Sequence, residues 1–206
     1  MDSMEWFRQG GPVMYALLIC SLAAAVIGIE RFLFYRRAAA GSRKLMEEMP
    51  ELLKKPWDEA AGLCRGNTSA PAFVACAGIQ AASAGEDAVL ALDNAYGTAA
   101  AELRGRLNYL SMIVTLAPLL GLLGTISGMI VSFRIFNLQA GQPLAITGGI
   151  GEALIATATG LCVAIFALVL HTYFSQRMDD LLTAMDRTEA AVLSAVRRRA
   201  GDSHAA

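Results

Sequence analysis

Two long apolar stretches in the second half of the chain, joined by a short polar loop, limit the folds that this sequence can adopt. They span residues 109–136 and 149–174. Each is longer than the roughly 20 residues with which an α-helix crosses the hydrocarbon core of a bilayer. No charged residue lies between Met112 and Phe133, and Glu152 is the one charged residue of the second stretch. The two stretches therefore predict membrane-spanning helices.

A third apolar run, from Val13 to Ile29, lies near the N-terminus. A secretory signal begins with basic residues, whereas this chain begins with slightly acidic ones, so the run predicts a retained membrane helix over residues 12–35. Of the 17 Lys and Arg residues, 15 lie either from Arg31 to Arg106 or after the third predicted span. Because basic residues concentrate on the cytoplasmic side of a membrane, we expect the N-terminus outside and the C-terminus in the cytoplasm.

The rest of the sequence carries helix formers and no strong strand signal, so the predicted fold class is all-α: an integral membrane protein with three transmembrane helices extended into the cytoplasm. Pro50 and Pro56 predict helix breaks. The apolar run over 70–82 is too short to span a bilayer and predicts a buried helix or a re-entrant piece. Residues 175–199 are predicted to continue the third span as a helix with an amphipathic stripe of Leu181, Leu182, Met185, Val192, Leu193 and Val196. Arg197, Arg198 and Arg199 favour the C-terminal end of that helix through its dipole. The predicted segments are a periplasmic N-terminus (1–11), transmembrane helix 1 (12–35), a cytoplasmic helical segment (36–108), transmembrane helix 2 (109–136), a periplasmic loop (137–148), transmembrane helix 3 (149–175) and a cytoplasmic C-terminal helix and tail (176–206).

Composition excludes several classes of function. The mean hydropathy is +0.47, and the hydrophobic share of 55% is high for a soluble domain. The formal net charge of -1 argues against a nucleic-acid partner. The cysteines form no CxxC pair, so neither a zinc site nor a disulfide framework is expected. Because GxSxG, HExxH and P-loop motifs are missing from the sequence, we predict no enzyme, no metal and no cofactor.

Four polar residues within the predicted spans are candidates for an ion path: Glu152, Thr125, Thr157 and Thr159. An acid inside a membrane helix is costly and indicates an ion path or a polar partner. Thr125 and Thr157 are predicted at depths that differ by about 5 Å, and Thr159 shares a helical face with Glu152. Two alternatives stay open: a wet interfacial place for Glu152 at its own helix N-terminus, and threonine hydroxyls that bond carbonyls of their own helices.

Small residues and one proline punctuate the same spans. Gly121, Gly124, Gly128 and Gly160 predict close helix–helix packing, because a missing side chain lets two backbones approach. Pro118 removes one backbone hydrogen bond in the membrane. This predicts either a local water site or a kink that neighbouring helices pack against.

Two motifs within these spans resemble one known family. APLLGLLGTISGMIVSF (117–133) and GGIGEALIATATGLCVAIFALV (148–169) are similar to the signature helices of the ExbB/TolQ/MotA family of ion-channel motor subunits. The resemblance covers about 109–175 well and the first span more loosely. Three spans with the N-terminus outside resemble the ExbB and TolQ branches, and the ExbB branch of the TonB system is favoured. The flagellar branch has four spans.

The resemblance implies a homopentameric helical bundle in which the second and third spans line a central pore. It also implies a single-span partner of the ExbD/TolR type with a membrane aspartate, and a TonB-like protein that carries motion to the outer membrane. Thr125, Thr157 and Glu152 match the family's polar pore positions. The hypothesis is that the two threonines serve the partner's carboxylate and that Glu152 serves the outer mouth of the path.

Other interpretations stay open at this point. A Tol–Pal subunit or a flagellar-type stator would use the same helices in another system. A passive membrane scaffold would need no ion path at all and would tolerate loss of the acid. The proton is the ion that the resemblance implies, although Thr159 on the face of Glu152 leaves sodium open.

Overall fold

The computed structural model describes residues 11–138 and 143–205, with side chains except at positions 63, 65, 135–138, 143–147 and 201–205. Within these ranges every regular element is an α-helix. The helices are α1 (Val13–Ala39), α2 (Ser42–Leu52), α3 (Trp57–Arg65), α4 (Ala70–Ala84), α5 (Ala88–Arg104), α6 (Leu107–Leu138) and α7 (Pro143–Ala205).

Three stretches of the described chain are long and apolar enough to cross a membrane: Val13–Leu52, Ala88–Arg134 and Gly148–Ala200. Their most apolar windows have mean hydropathies of 2.2, 2.0 and 2.5. The prediction of an all-α chain with three membrane-length helices is therefore confirmed. Where the membrane begins and ends along each helix stays a prediction.

The helix bounds can be set beside the predicted segments. The predicted spans 12–35 and 109–136 fall within α1 and α6 apart from residue 12, and 149–175 falls within the longer α7. The predicted N-terminal segment 1–11, except Gly11, lies outside the described residues, as do residues 139–142 of the predicted loop. Helix α7 already begins at Pro143, and this changes the place of Glu152 within its helix.

The chain divides into two compact units. The first, here called the apolar unit, comprises residues 1–30 and 106–173, and the second, the polar unit, comprises 31–105 and 174–206. Each is described separately below.

In the apolar unit, alanines and one leucine are buried where helices meet. Leu17 of α1, Ala117 of α6, and Ala156 and Ala167 of α7 are fully buried. Many large apolar side chains remain exposed on the outer faces, which is the pattern expected where lipid or another subunit covers a helix. The exposed residues include Leu18, Ile19, Leu119, Leu122, Ile130, Leu154, Ile165 and Val169.

In the polar unit, the short apolar run that could not span a bilayer forms the buried helix α4. Ser69 is its N-cap and accepts a hydrogen bond from the N–H of Ala72, while Gly85 ends it at φ 72°. Asp87 then caps α5 by accepting from the N–H groups of Val89 and Leu90. These caps satisfy N–H groups that a helix start leaves without partners, so α4 and α5 are separated by a short, well-defined turn.

Two sequence expectations in the polar unit need correction. Pro50 lies inside α2, which continues to Leu52. A proline so close to the helix end removes a single hydrogen bond, so the break comes only after it. Pro56 lies immediately before the first residue of α3, in agreement with the helix break predicted there.

The second correction concerns Arg199, which with its basic neighbours was expected to act through the dipole of the α7 C-terminus. Helix α7 continues to Ala205. Arg199 Nη2 instead donates hydrogen bonds to the carbonyl oxygens of Leu53, at 2.8 Å, and Lys55, at 2.5 Å. The guanidinium also lies 3.8 Å from the ring centroid of Trp57. It therefore satisfies carbonyls of the segment that follows α2, not those of its own helix.

Candidate functional site

The glycines of α6 lie against α7. A Cβ built on Gly121 would lie 3.1 Å from the Cα of Thr157, and one built on Gly124 would lie 2.5 Å from the Cβ of Ala156. A Cβ on Gly128 would lie 3.3 Å from the Cβ of Ala153. Partner numbers fall along α7 as they rise along α6, so the two helices pack antiparallel. A side chain at Gly124 would force the helices to shift, and one at Gly121 or Gly128 would meet α7 at a tight distance, so the glycines let the two backbones approach closely.

Gly160 on α7 and the segment around Pro118 on α6 form the continuation of this contact. A Cβ on Gly160 would lie 2.6 Å from the carbonyl oxygen of Ala117 and 3.1 Å from the Cα of Gly121. Pro118 is partly buried, and α6 runs through it from Leu107 to Leu138 without interruption. The roles predicted for Pro118, a kink or a water site, stay predictions.

Thr157 is the polar residue that joins the two helices. Its Oγ1 lies 3.2 Å from the carbonyl oxygen of Gly121 on α6 and 3.2 Å from that of Ala153 on its own helix. The hydroxyl proton is therefore shared between, or exchanged among, two carbonyl acceptors. Gly121 favours this bond, because a Cβ there would lie 3.1 Å from the Cα of Thr157 and would press the two helices apart.

Thr125 and Thr159 donate within their own helices. Thr125 Oγ1 lies 2.6 Å from the carbonyl oxygen of Leu122, and Thr159 Oγ1 lies 2.8 Å from that of Ile155. The alternative that the sequence left open, a hydroxyl bonded to its own helix, is thus what the structure has at these positions. Thr125 is four residues from Gly121, the acceptor of Thr157, or about 6 Å along α6. All three threonines are partly exposed in the isolated chain.

Glu152 lies in the third turn of α7 and is partly exposed. The influence of a helix dipole fades within the first turn. The part of the alternative that places Glu152 at the start of its own helix is therefore wrong, since α7 begins at Pro143, whereas a wet place at the membrane interface stays a prediction. The carboxylate lies instead against Gly11, the residue that precedes the first turn of α1.

Sequence reasoning missed two polar features of the apolar unit. Ser132 is buried, its Oγ lies 2.8 Å from the carbonyl oxygen of Gly128, and it occupies the space facing Gly149. The sequence shows Ser132 and Gly149 as two separate polar or small residues. It does not show that α6 and α7 bring them face to face. At the other end of this unit Arg106, with a positive φ of 63°, pairs with Glu30. Glu30 is about 28 Å along α1 from Gly11.

Among residues 11–138 and 143–205, no group of three or more His, Cys, Asp or Glu side chains is placed to hold a metal ion. Along the apolar stretches of α6 and α7, from 112 to 133 and from 149 to 169, the polar groups are the Glu152 carboxylate, threonine and serine hydroxyls, and carbonyl oxygens near glycine. Such a set of neutral groups near a single acid suits passage or exchange of a small cation.

Several known proteins are similar to this chain in sequence. A family model described as the MotA/TolQ/ExbB proton channel family matches residues 67–187. The biopolymer transport protein "ExbB-like 1" of Synechocystis sp. is 34% identical over 189 residues, which cover 85% of this chain and 73% of that protein.

Two further relatives match over a shorter region. The biopolymer transport protein ExbB of Salmonella typhimurium is 36% identical over 86 residues, 41% of this chain and 35% of the relative. The Tol-Pal system protein TolQ of Pseudomonas aeruginosa is 38% identical over 82 residues, 39% of this chain and 36% of the relative. With the family model covering more than half of its length, and with three membrane-length apolar helices, the chain belongs to the MotA/TolQ/ExbB proton channel family.

Proposed function

We propose that this protein is a proton-channel and motor subunit of a bacterial inner membrane. Together with a single-span ExbD/TolR-like partner that carries a membrane aspartate, it converts the proton motive force into mechanical work on a TonB-like protein for outer-membrane uptake. The N-terminus lies in the periplasm and the C-terminus in the cytoplasm. Five copies form a ring whose pore is lined by α6 and α7.

One observation carries the proposal. Two closely packed helices, otherwise without charge from 112 to 133 and from 149 to 174, hold a single carboxylate, that of Glu152. The family match of 67–187 includes both of these stretches. An acid retained in so apolar a place is costly unless it serves transfer of an ion or binding of a partner.

The threonines supply polar groups without a fixed charge. A partner's aspartate in the membrane is strongly disfavoured when ionised and unpaired. Hydroxyls beside it stabilise a bound carboxyl group, whereas a fixed cation would hold it permanently ionised and stop the cycle. The driving force is about 2.3 kcal/mol per charge for each 100 mV across the membrane. Thr125 and Thr157 thus serve the partner's acid, and Glu152, with Thr159 on its face, serves the outer mouth of the path.

The first test is Glu152→Gln, which keeps the shape of the side chain and removes its charge. The protein is reconstituted with its single-span partner in liposomes, and proton flux is measured under an applied potential. The variant should assemble normally and lose its flux, because the one membrane carboxylate of α6 and α7 is gone. Unchanged flux in an assembled variant would leave a passive scaffold as the better explanation.

The second test is Thr125→Val, which removes a hydroxyl at nearly constant volume. We expect flux to fall by up to roughly tenfold, since a hydrogen bond between neutral groups is worth about 0.5–1.5 kcal/mol. Thr115→Val is the matched control, because Thr115 Oγ1 also bonds a carbonyl one turn back on α6, that of Met112 at 2.9 Å. A similar loss in both variants would assign the effect to helix structure, not to the path.

A role in a TonB-type system is favoured over a role in a Tol–Pal system because the match to a relative named ExbB-like covers most of this chain. The TolQ of P. aeruginosa nevertheless matches the shorter region about as well as ExbB does. Complementation separates the two systems: the gene should restore outer-membrane uptake in a strain without ExbB, and not envelope integrity in one without TolQ. The reverse result would assign the chain to Tol–Pal.

A further inference from the structure

The chain segment that leads into α1 lies directly against the Glu152 carboxylate. A Cβ built on Gly11 would overlap Oε1 of Glu152 and lie 3.2 Å from its Cδ and 3.7 Å from its Cγ. Both residues belong to the apolar unit. The carboxylate therefore occupies the space that any side chain at position 11 would need.

Two separate constraints make glycine the residue that fits this position. Its φ is +70°, in the left-handed region that other residues enter at a cost. The carbonyl oxygen of Gly11 also accepts a hydrogen bond from the N–H of Met14, at 3.2 Å, which closes the turn that opens α1. The backbone at Gly11 is thus held in place by α1, and it does not simply pass by the carboxylate.

Residues on either side of the contact between Gly11 and Glu152 are also packed against neighbouring helices. Val13 of α1 lies near Gly124, at 3.8 Å from a Cβ built there, and Gly124 faces Ala156 of α7. Ala153 and Ala156, on the turn that follows Glu152, are buried. The start of α1 therefore lies against the middle of α6 through Val13 and against the third turn of α7 through Gly11.

We propose that Gly11 is a positioning residue for Glu152: its backbone confines the carboxylate on the side of α1, and its missing side chain provides the room in which the carboxylate sits. This inference rests on the proposed role of Glu152 in the ion path. A larger residue at position 11 displaces the carboxylate from the mouth of the path while the carboxylate itself remains in the protein.

The first experiment compares Gly11→Ala with Gly85→Ala in liposomes that contain the assembled complex. Gly85 has nearly the same φ, +72°, but nothing within 4 Å of a built Cβ, so its variant carries the backbone cost without the contact. Gly11→Ala should lower proton flux about tenfold or more, because small displacements of a reacting group have large effects on rate. Gly85→Ala should keep the flux of the parent protein. Equal flux in Gly11→Ala and the parent would overturn the proposal.

A double variant then separates positioning from a general structural defect. Glu152→Asp shortens the side chain and withdraws the carboxylate from position 11. If Gly11→Ala acts by displacing the carboxylate, it should do less harm once the side chain is shortened. The flux of the double variant, as a fraction of the parent's flux, should then exceed the product of the fractions for the two single variants by about threefold or more. A defect in α1 that does not involve Glu152 would give additive losses, and additivity would overturn the proposal.

The contact itself is tested without any activity. In a background with the four native cysteines replaced by alanine, Gly11→Cys and Glu152→Cys should form a disulfide within one chain on mild oxidation. A cross-linked dimer, or no cross-link, would show that position 11 does not lie on the Glu152 of its own chain. If Glu152→Gln retains flux, the proposed function fails while this cross-link still reports on the contact, so the two failures can be told apart.

Discussion

At the scale of single residues, Arg199 shows how one side chain can tie together segments that are distant in sequence. We predict that Arg199→Lys lowers the free energy of unfolding of the polar unit by about 1–3 kcal/mol, because lysine provides neither the planar fork nor the stacked ring contact. Trp57 fluorescence during urea titration, in a Trp6→Phe background, reports the loss. Arg198→Lys, at an exposed neighbouring position, is the control. Equal shifts in both variants would contradict the assigned contacts.

Cys64 provides a second prediction at this scale. Burial, reinforced by the nearby Cys76, raises the pKa of the Cys64 thiol to about 11. Because the thiolate is the reactive form, iodoacetamide at pH 8 should modify Cys64 of the folded protein at least about tenfold more slowly than after unfolding in SDS. The rate should rise as the pH approaches 11. A variant that retains only Cys64 isolates the signal, and equal rates before and after unfolding would contradict it.

The sequence identified the candidate residues of the site but not their partners. Glu152 was visible as an isolated charge, and the threonines as polar residues among apolar ones. That Thr157 bonds across to Gly121, and that Glu152 meets Gly11, depends on how α1, α6 and α7 come together. No local pattern encodes contacts between residues 36 or 141 positions apart, so these could be found only in the folded chain.

At the scale of helices, the glycines of α6 and α7 make a testable interface. We predict that Gly160→Ala destabilises the packing of α6 on α7 by about 1–3 kcal/mol, because the added methyl group meets the Ala117 carbonyl and must displace backbone. Gly151→Ala is the control on the same helix, since a Cβ there has nothing within 4 Å. Thermal unfolding in a mild detergent measures both. Comparable losses at the two positions would mean that helix propensity, not packing, decides the result.

The sequence predicts some helix boundaries correctly and others not. Pro56 before α3 follows a known preference for proline at helix starts. Pro50 predicts a helix break, yet α2 includes this proline in its last turn. The amphipathic stripe predicted on the second half of α7 includes Leu181, Met185 and Val192, all buried. Periodicity thus predicts which face is buried, whereas the last residue of a helix depends on contacts beyond it.

At the scale of the whole molecule, the distribution of charge predicts the orientation. We expect a cysteine at Gly97, an exposed position of α5, to react with a membrane-impermeant maleimide only after the inner membrane has been opened. A cysteine at Ser3 should react in intact spheroplasts. Both are placed in a background free of native cysteines. Labelling of Gly97→Cys in intact spheroplasts would reverse the orientation.

The fold class followed from the length of three apolar runs, because a bilayer admits few other solutions for such segments. A buried helix over 70–82 was one of the two expectations for that run, but the helices against which α4 packs, and the division of the chain into two units, did not follow. Those features arise from packing of alanine-rich faces, whose sequence signal is weak. The ring of subunits and its partner depend on other chains and stay proposals.

The hydrogen bonds of Thr157 and Thr125 carry one more implication. A hydroxyl owns a single hydrogen, and in this arrangement each of these groups has already committed it to a main-chain oxygen. Each hydroxyl oxygen can therefore act only as an acceptor. A protonated carboxyl group can donate a hydrogen bond to it, whereas an ionised carboxylate finds no donor there unless the threonine first breaks its bond to the carbonyl.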